Sequence, residues 1–171
     1  MPGPLDLCGV QSPRLRRPAS CPRRQGLMPS RRTARSAWQQ FTPRYGPPSV
    51  VRISDVDRPT AKHNEVLIKV HATTVNRTDC AYRAGKPFAA RVVYGLSRPR
   101  ATVLGNEFAG QVDAVGGGVT QFGVGDRVFG YDEGPMGAHA EYMVIPQGGS
   151  LATVPANVTY EEVVPGTEGS H

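Results

Sequence analysis

Cysteine is scarce. The 171-residue chain has three, Cys8, Cys21 and Cys80. An odd number closes no disulfide framework, and the short Cys/His spacings of a zinc site are absent. A reduced, intracellular setting is the simplest reading. Long apolar runs are missing as well. Nothing approaches the roughly 18–20 residues that a membrane span needs. The N-terminus also lacks the charged-then-apolar order of a secretory signal. No membrane partner is expected. Acidic residues are nearly missing from the first 40 positions, where Asp6 stands against eight arginines, a local charge of +7. The remaining 131 residues hold twelve basic and thirteen acidic side chains, a charge of −1. The basic balance therefore belongs to the N-terminal stretch.

Residues 1–36 mix Pro, Arg, Ser and Gly with few large apolar side chains. Such a composition buries too little surface to offset chain entropy, so a disordered basic tail is predicted. Three uses for it stay open. It is a solvated extension, with Met28 as an alternative start. It is an organelle transit peptide, being Arg-rich and acid-poor. Or it is a nucleic-acid-binding arm. The last has least behind it, because Trp38 is the only nearby aromatic suited to stacking and no binding module follows. No nucleic-acid partner is expected. Localisation is cytoplasmic, or organellar if the tail is a targeting signal.

From Ala37 onward the pattern changes. In "EVLIKVHATTV" (65–75), Val66, Ile68, Val70 and Ala72 alternate with Lys69, His71 and Thr73. Period two with β-branched residues predicts a strand. "EFAGQVDAVG" (107–116) places Phe108, Gly110, Val112 and Ala114 opposite Glu107, Gln111 and Asp113. "SVVRISDV" (49–56), "DRVFGY" (126–131) and "AHAEYMVIP" (138–146) are three more short strands. One short helix is expected at "RTDCAYRAG" (77–85), with Thr78 or Asp79 near its start and Gly85 just past its end. Short strands between Gly, Pro, Asn and Asp clusters predict a mainly β barrel or sandwich.

Eight of the twenty glycines fall in residues 103–130. A dinucleotide fingerprint needs Gly-x-Gly-x-x-Gly between a strand and a helix. Gly116, Gly117, Gly118, Gly123 and Gly125 offer no triplet with that spacing, and the strand "DRVFG" follows them. They are expected to supply positive φ in turns.

The stretch "GNEFAGQVDAVGGGVTQFGVGDRVFG" resembles the signature of the medium-chain dehydrogenase/reductase superfamily. Gly105, Glu107, Gly110, Val112, Val115, Gly116, Val119, Gly125, Asp126 and Val128 match it. "RYGPP" (44–48), "PTAKHNEVLIKVHATTVNRTD" (59–79) and "GAHAEYMVIP" (137–146) follow the expected order. The resemblance covers residues 37–171. It implies a GroES-like, partly open β-barrel with short helices, the catalytic domain that precedes a Rossmann domain in this superfamily.

Zinc-dependent members carry Cys at the position of Asn76 and His at the position of Asn106. A neutral carboxamide is a poor zinc ligand. The four-cysteine lobe expected after "FGY" is missing too. The resemblance thus points to the zinc-free, quinone-oxidoreductase-like branch, with no metal site. It implies Asn76, Asp79 and Asn106 as catalytic candidates, with Asn76 and Tyr82 toward the cofactor. That branch often has Tyr five residues after the Asn, which here is Ala81, with Tyr82 one place on. Plainer readings stand beside these. Asn76 caps the helix, Asp79 braces the same turn or relays a proton, and Asn106 fills a vacated ligand position. His71 and His139 are packed or surface histidines, and Cys80 is a small helix residue.

The resemblance implies an NAD- or NADP-dependent oxidoreductase acting on a quinone, an enone or a small carbonyl or alcohol. The main nucleotide-binding domain would lie beyond His171. The chain alone is expected to be inactive. Other readings stay open: a stand-alone binding or chaperonin-like module, which fits the barrel but not the 105–128 pattern, and an inactive fragment or degenerate subunit that binds a full-length homologue. A homo-oligomer is open as well.

Overall fold

The computed structural model describes residues 36–100, 102–132 and 136–167. The tail predicted for residues 1–36 lies outside these, except that Ser36 opens the first strand. The described chain is mainly β, as expected, and its main sheet curls into a half-barrel.

Five antiparallel strands form that sheet in the order β6–β3–β4–β5–β7. They are β3 (Glu65–Thr73), β4 (Glu107–Val115), β5 (Arg127–Tyr131), β6 (Tyr142–Pro146) and β7 (Ser150–Thr153). A separate ribbon pairs β1 (Ser36–Phe41) with β2 (Arg52–Asp57). One bridge, Gln39 to Ala140, ties the ribbon to the chain ahead of β6. The helices are α1 (Arg77–Ala84), α2 (Arg91–Tyr94) and α3 (Tyr160–Val163).

The core follows from the alternation. Val66, Ile68, Phe108, Val112 and Val128 from the three central strands meet Ala138, Met143 and Ile145. Each of the Val, Ile, Phe and Met side chains contributes about 1.5–3 kcal/mol on burial. Lys69 and His71 of β3 point outward, as the pattern predicts. Leu67 breaks it and is also buried, where the β3–β4 register shifts between Leu67 and Ile68.

Four expectations need correction. The predicted strand at 49–56 begins as a 3-10 turn, Pro48–Val50, and pairs only from Arg52. Consecutive prolines at 47 and 48 remove donors there. The predicted strand at 138–146 pairs continuously only from Tyr142, because residues 137–139 bond back to Gly105 and Leu104. Glu107, placed opposite the apolar face of β4, is buried, since both faces of that strand are covered at its start. Finally, only Gly125 of the five turn glycines has positive φ. Gly116 is required for another reason: a Cβ there would lie 1.7 Å from the Lys62 carbonyl oxygen.

Candidate active site

The site forms where β3 ends, α1 begins and β4 begins. The Thr73 hydroxyl donates to the Glu107 carbonyl at 2.7 Å and pins the end of β3 to the start of β4. Thr74 and Val75 then turn the chain into α1. Asn76 is the helix cap. Its Oδ1 accepts the Asp79 N–H at 3.1 Å, and the Asp79 carboxylate accepts the Asn76 N–H at 3.1 Å. This reciprocal pair satisfies two donors that a helix start leaves open. At the far end Gly85, at φ 62°, closes α1 in the left-handed conformation.

Asp79 reaches further. Its other oxygen accepts the Gly105 N–H at 2.9 Å, so one buried carboxylate joins the helix start to the loop before β4. Gly105 sits at φ 90°, and a Cβ there would meet His139 Cδ2 at 2.6 Å. The next residue, Asn106, is 1% exposed. Asn76 Nδ2 donates to Asn106 Oδ1 at 2.9 Å. The three residues singled out as catalytic candidates are therefore one hydrogen-bonded unit.

Sequence reasoning missed the rest of this unit. The Glu107 carboxylate is buried beside the two amides, 3.5 Å from Asn76 Nδ2. Its Oε2 accepts the Thr74 hydroxyl, and its Oε1 accepts the Thr167 hydroxyl at 2.6 Å. His139 is buried too. Its Nε2 donates to the Thr74 carbonyl at 2.8 Å and lies 3.9 Å from Asp79 Oδ2. Its Nδ1 has no hydrogen-bond partner among the described residues. The one available signal was for Glu107, which belongs to the Gly-x-Glu of the signature stretch. Thr74, His139 and Thr167 carry no pattern that marks them.

Tyr82 lies elsewhere on α1, six residues past the cap and about 9 Å along the axis at 1.5 Å per residue. Its ring is 7% exposed and packs on Tyr94 with centroids 4.5 Å apart. Tyr45 carries the Arg91 guanidinium 4.5 Å from its ring centroid and donates its hydroxyl to the Gly95 carbonyl at 2.7 Å. Burial, with a smaller contribution from Tyr82, holds the Tyr45 phenol above its ordinary value, against the opposing charges of Arg91 and Arg100. His71 stacks on Tyr160 at 4.8 Å, and Cys80 is exposed.

Among the described residues, no group of three or more His, Cys, Asp and Glu side chains is arranged to hold a metal. At the centre two carboxamides are locked to each other, with the Glu107 carboxylate beside them. A carboxamide is a poor zinc ligand compared with thiolate, imidazole or carboxylate.

The half-barrel, the capped α1 and the Gly-x-Glu turn define a GroES-like domain of the dehydrogenase type. Residues 62–156 match the alcohol dehydrogenase GroES-like domain family, and the chain belongs to it. Within the medium-chain dehydrogenase/reductase superfamily it is quinone-oxidoreductase-like. It is 36% identical over 118 residues to a quinone oxidoreductase of Pseudomonas aeruginosa, covering 69% of this chain and 33% of that protein. Among solved structures it resembles the quinone oxidoreductase of Coxiella burnetii, with TM-score 0.66 and 26% identity, covering 75% of this chain and 40% of the other. It also resembles the Escherichia coli quinone oxidoreductase complexed with NADPH, with TM-score 0.61 and 26% identity, covering 73% and 35%. The chain thus spans about a third of the length of the curated relatives it matches.

Proposed function

We propose that this chain is the catalytic-domain portion of a zinc-independent, NAD(P)(H)-dependent oxidoreductase that acts on quinones, enones or small carbonyls and alcohols. The observation that carries the reading is the Asn76–Asn106 amide pair at 2.9 Å, standing where zinc-dependent relatives place ligands. Paired amides offer neutral, preorganised dipoles instead of a Lewis acid. The related enzyme solved with NADPH supports a nicotinamide cofactor.

Among the described residues, the edge of α1 offers a place that fits such a ring. Asn76 is half-buried and Val75 beside it is 76% exposed, a polar edge next to an apolar surface. When bound, the nicotinamide supplies the hydride. Asn76 and Val75 would hold the ring. Asp79 fixes the helix start that carries Asn76. Asn106 accepts from Asn76 and so sets the direction of its amide. Tyr82 supports α1 from beneath as packing.

A second reading, a subunit that binds a full-length homologue, has one observation in its favour. Phe88, Val92 and Leu96 are 74%, 68% and 70% exposed at four-residue spacing. A contiguous exposed apolar patch is what a partner would cover, and these three side chains are its candidates.

A chimera tests the first reading. Residues 36–167 replace the corresponding part of a full-length quinone oxidoreductase, and NADPH-dependent quinone reduction is assayed. Turnover that disappears on Asn76→Ala supports the proposal. A folded, NADPH-binding chimera with no turnover on any quinone, enone or aldehyde overturns it. Size-exclusion chromatography with a full-length homologue tests the second.

A further inference from the structure

We infer that Thr167 is a positioning residue for the amide pair, acting through Glu107, so that the docking of the C-terminal segment is read at the site. The function assigned to that site rests on the oxidoreductase reading above. The hydrogen-bond linkage does not.

The linkage starts from how the segment is held. Thr159 caps α3 reciprocally with Glu162, and α3 lies against β3 and β4. Tyr160 is sandwiched. The His71 ring stacks on it at 4.8 Å, and the Arg127 guanidinium sits 4.7 Å from its centroid. Arg127 also donates to the Val158 carbonyl at 2.6 Å. Val164 is 2% exposed. These contacts come from β3 and β5, so the segment is fixed to the same sheet that carries the site.

Thr167 follows directly. Its hydroxyl lies 2.6 Å from Glu107 Oε1 and 3.2 Å from the Val164 carbonyl. A hydroxyl has one proton, and the shorter, charge-assisted contact takes it. Glu107 is then gripped at both oxygens. Thr167 holds Oε1, while Thr74 and Asn76 approach Oε2. A carboxylate held at both oxygens cannot turn about its last bond. With Oε2 fixed, the Asn76 Nδ2 group keeps one proton toward Glu107 and one toward Asn106 Oδ1. Asn76 Oδ1 is left to cap α1. The amide pair is thus held in one orientation, and a residue 60 positions downstream of Glu107 in sequence belongs to the set that holds it.

The experiment uses the full chain, labelled with nitrogen-15, and follows solvent exchange of the Asn76 side-chain amide protons by NMR. Thr167→Val keeps the shape and removes the donor. Thr167→Ser keeps the donor and loses the methyl group. Loss of a hydrogen bond to a charged group predicts exchange about tenfold faster in the Val variant, with the Ser variant close to the parent. Equal exchange in parent and Val variant overturns the inference. So does a Ser variant as fast as Val, which would mean that Thr167 acts by packing. If Thr167→Val does not fold, Thr167→Ala carries the same expectation. The readout needs no turnover. An inactive chimera with the expected exchange pattern sinks only the oxidoreductase reading, and an active one with unchanged exchange sinks only this linkage.

Discussion

Asn76 Nδ2 and Asn106 Oδ1 are 2.9 Å apart, one at the cap of α1 and the other just before β4, 30 residues on. Two side chains in contact across that gap can share a metal if their chemistry is changed. Glu107 Oε2, 3.5 Å from the Asn76 amide, supplies a third donor. The parent chain is expected to hold no stoichiometric zinc. The double variant Asn76→Cys, Asn106→His is expected to hold about one zinc per chain, with a thiolate, an imidazole and a carboxylate as ligands. Elemental analysis after dialysis against a weak chelator checks both. Stoichiometric zinc in the parent would remove the basis of the zinc-independent reading.

Asn76 also works as a cap, and the two roles separate. Asn76→Ala removes the acceptor for the Asp79 N–H and the link to Asn106. It should cost about 1–2 kcal/mol in urea unfolding. Asn76→Ser restores a capping oxygen without restoring the amide. It should recover most of that stability, while the chimera's turnover stays low. Turnover rescued by Ser would mean that the cap alone matters.

What the sequence made legible was local. β3, β4, β5 and α1 lie where alternation and turn residues put them, because their apolar faces meet one core. β1 and β7 were not legible. "SAWQQF" has no clean period, and β7 is a four-residue edge strand with three exposed positions. Glu107 was misplaced because period two describes one covered face, and here Thr74, the Asn76 cap and Thr167 cover the other. At the site, Asn76, Asp79 and Asn106 stood within signature stretches. His139 stands in "GAHAEYMVIP" but nothing there reveals its partner, and Thr167 lies in no such stretch; their bonds to Thr74 and Glu107 span 65 and 60 residues. Contacts of that separation leave no periodic trace.

Gly105 separates backbone need from side-chain chemistry. Its φ of 90° is closed to most residues, and a Cβ would lie 2.7 Å from the His139 backbone nitrogen. That nitrogen cannot retreat, because it donates to the Leu104 carbonyl at 2.9 Å. Gly105→Ala should therefore destabilise the fold by about 3 kcal/mol or more, combining strain and overlap. Gly148→Ala, where no atom lies within 4 Å of the added carbon, is the control and should be near neutral. Equal denaturation midpoints for the two variants would contradict the geometry.

Tyr45 gives the fold an alkaline limit. Its phenol ionises above the ordinary value of 10.0, chiefly through burial. In the unfolded chain it ionises at that ordinary value. Between the two values the folded state holds the proton more tightly, so stability falls as pH rises. The contribution is intact below about pH 10 and declines above it. Tyr45→Phe should flatten this part of the stability curve. At neutral pH it should also cost about 1 kcal/mol, since the Gly95 carbonyl loses its donor. Chemical unfolding at several pH values from neutral to alkaline reads both effects. A slope unchanged by the substitution would assign the alkaline loss to other groups.

The last prediction concerns NADPH and the chain by itself. Most dinucleotide affinity comes from the pyrophosphate, which needs backbone N–H groups at an open helix start. The glycines at 116, 117, 118, 123 and 125 join antiparallel β4 to β5 and lead into a strand. The Gly116 and Gly118 N–H groups are already spent on the Glu65 and His63 carbonyls, at 2.9 and 2.7 Å. The start of α1 is closed by the Asn76–Asp79 box, whose carboxylate would repel a phosphate. α2 and α3 have one turn each. On the oxidoreductase reading, Asn76 and Val75 would hold only the nicotinamide ring, and no helix start among the described residues is open to the pyrophosphate. Isothermal titration of the full chain with NADPH should show binding much weaker than micromolar. Free nicotinamide mononucleotide should bind about as well as NADPH, because no site for the adenylate half is found among the described residues. A dissociation constant near 1 μM, about −8 kcal/mol, would mean that these residues contain a complete dinucleotide site.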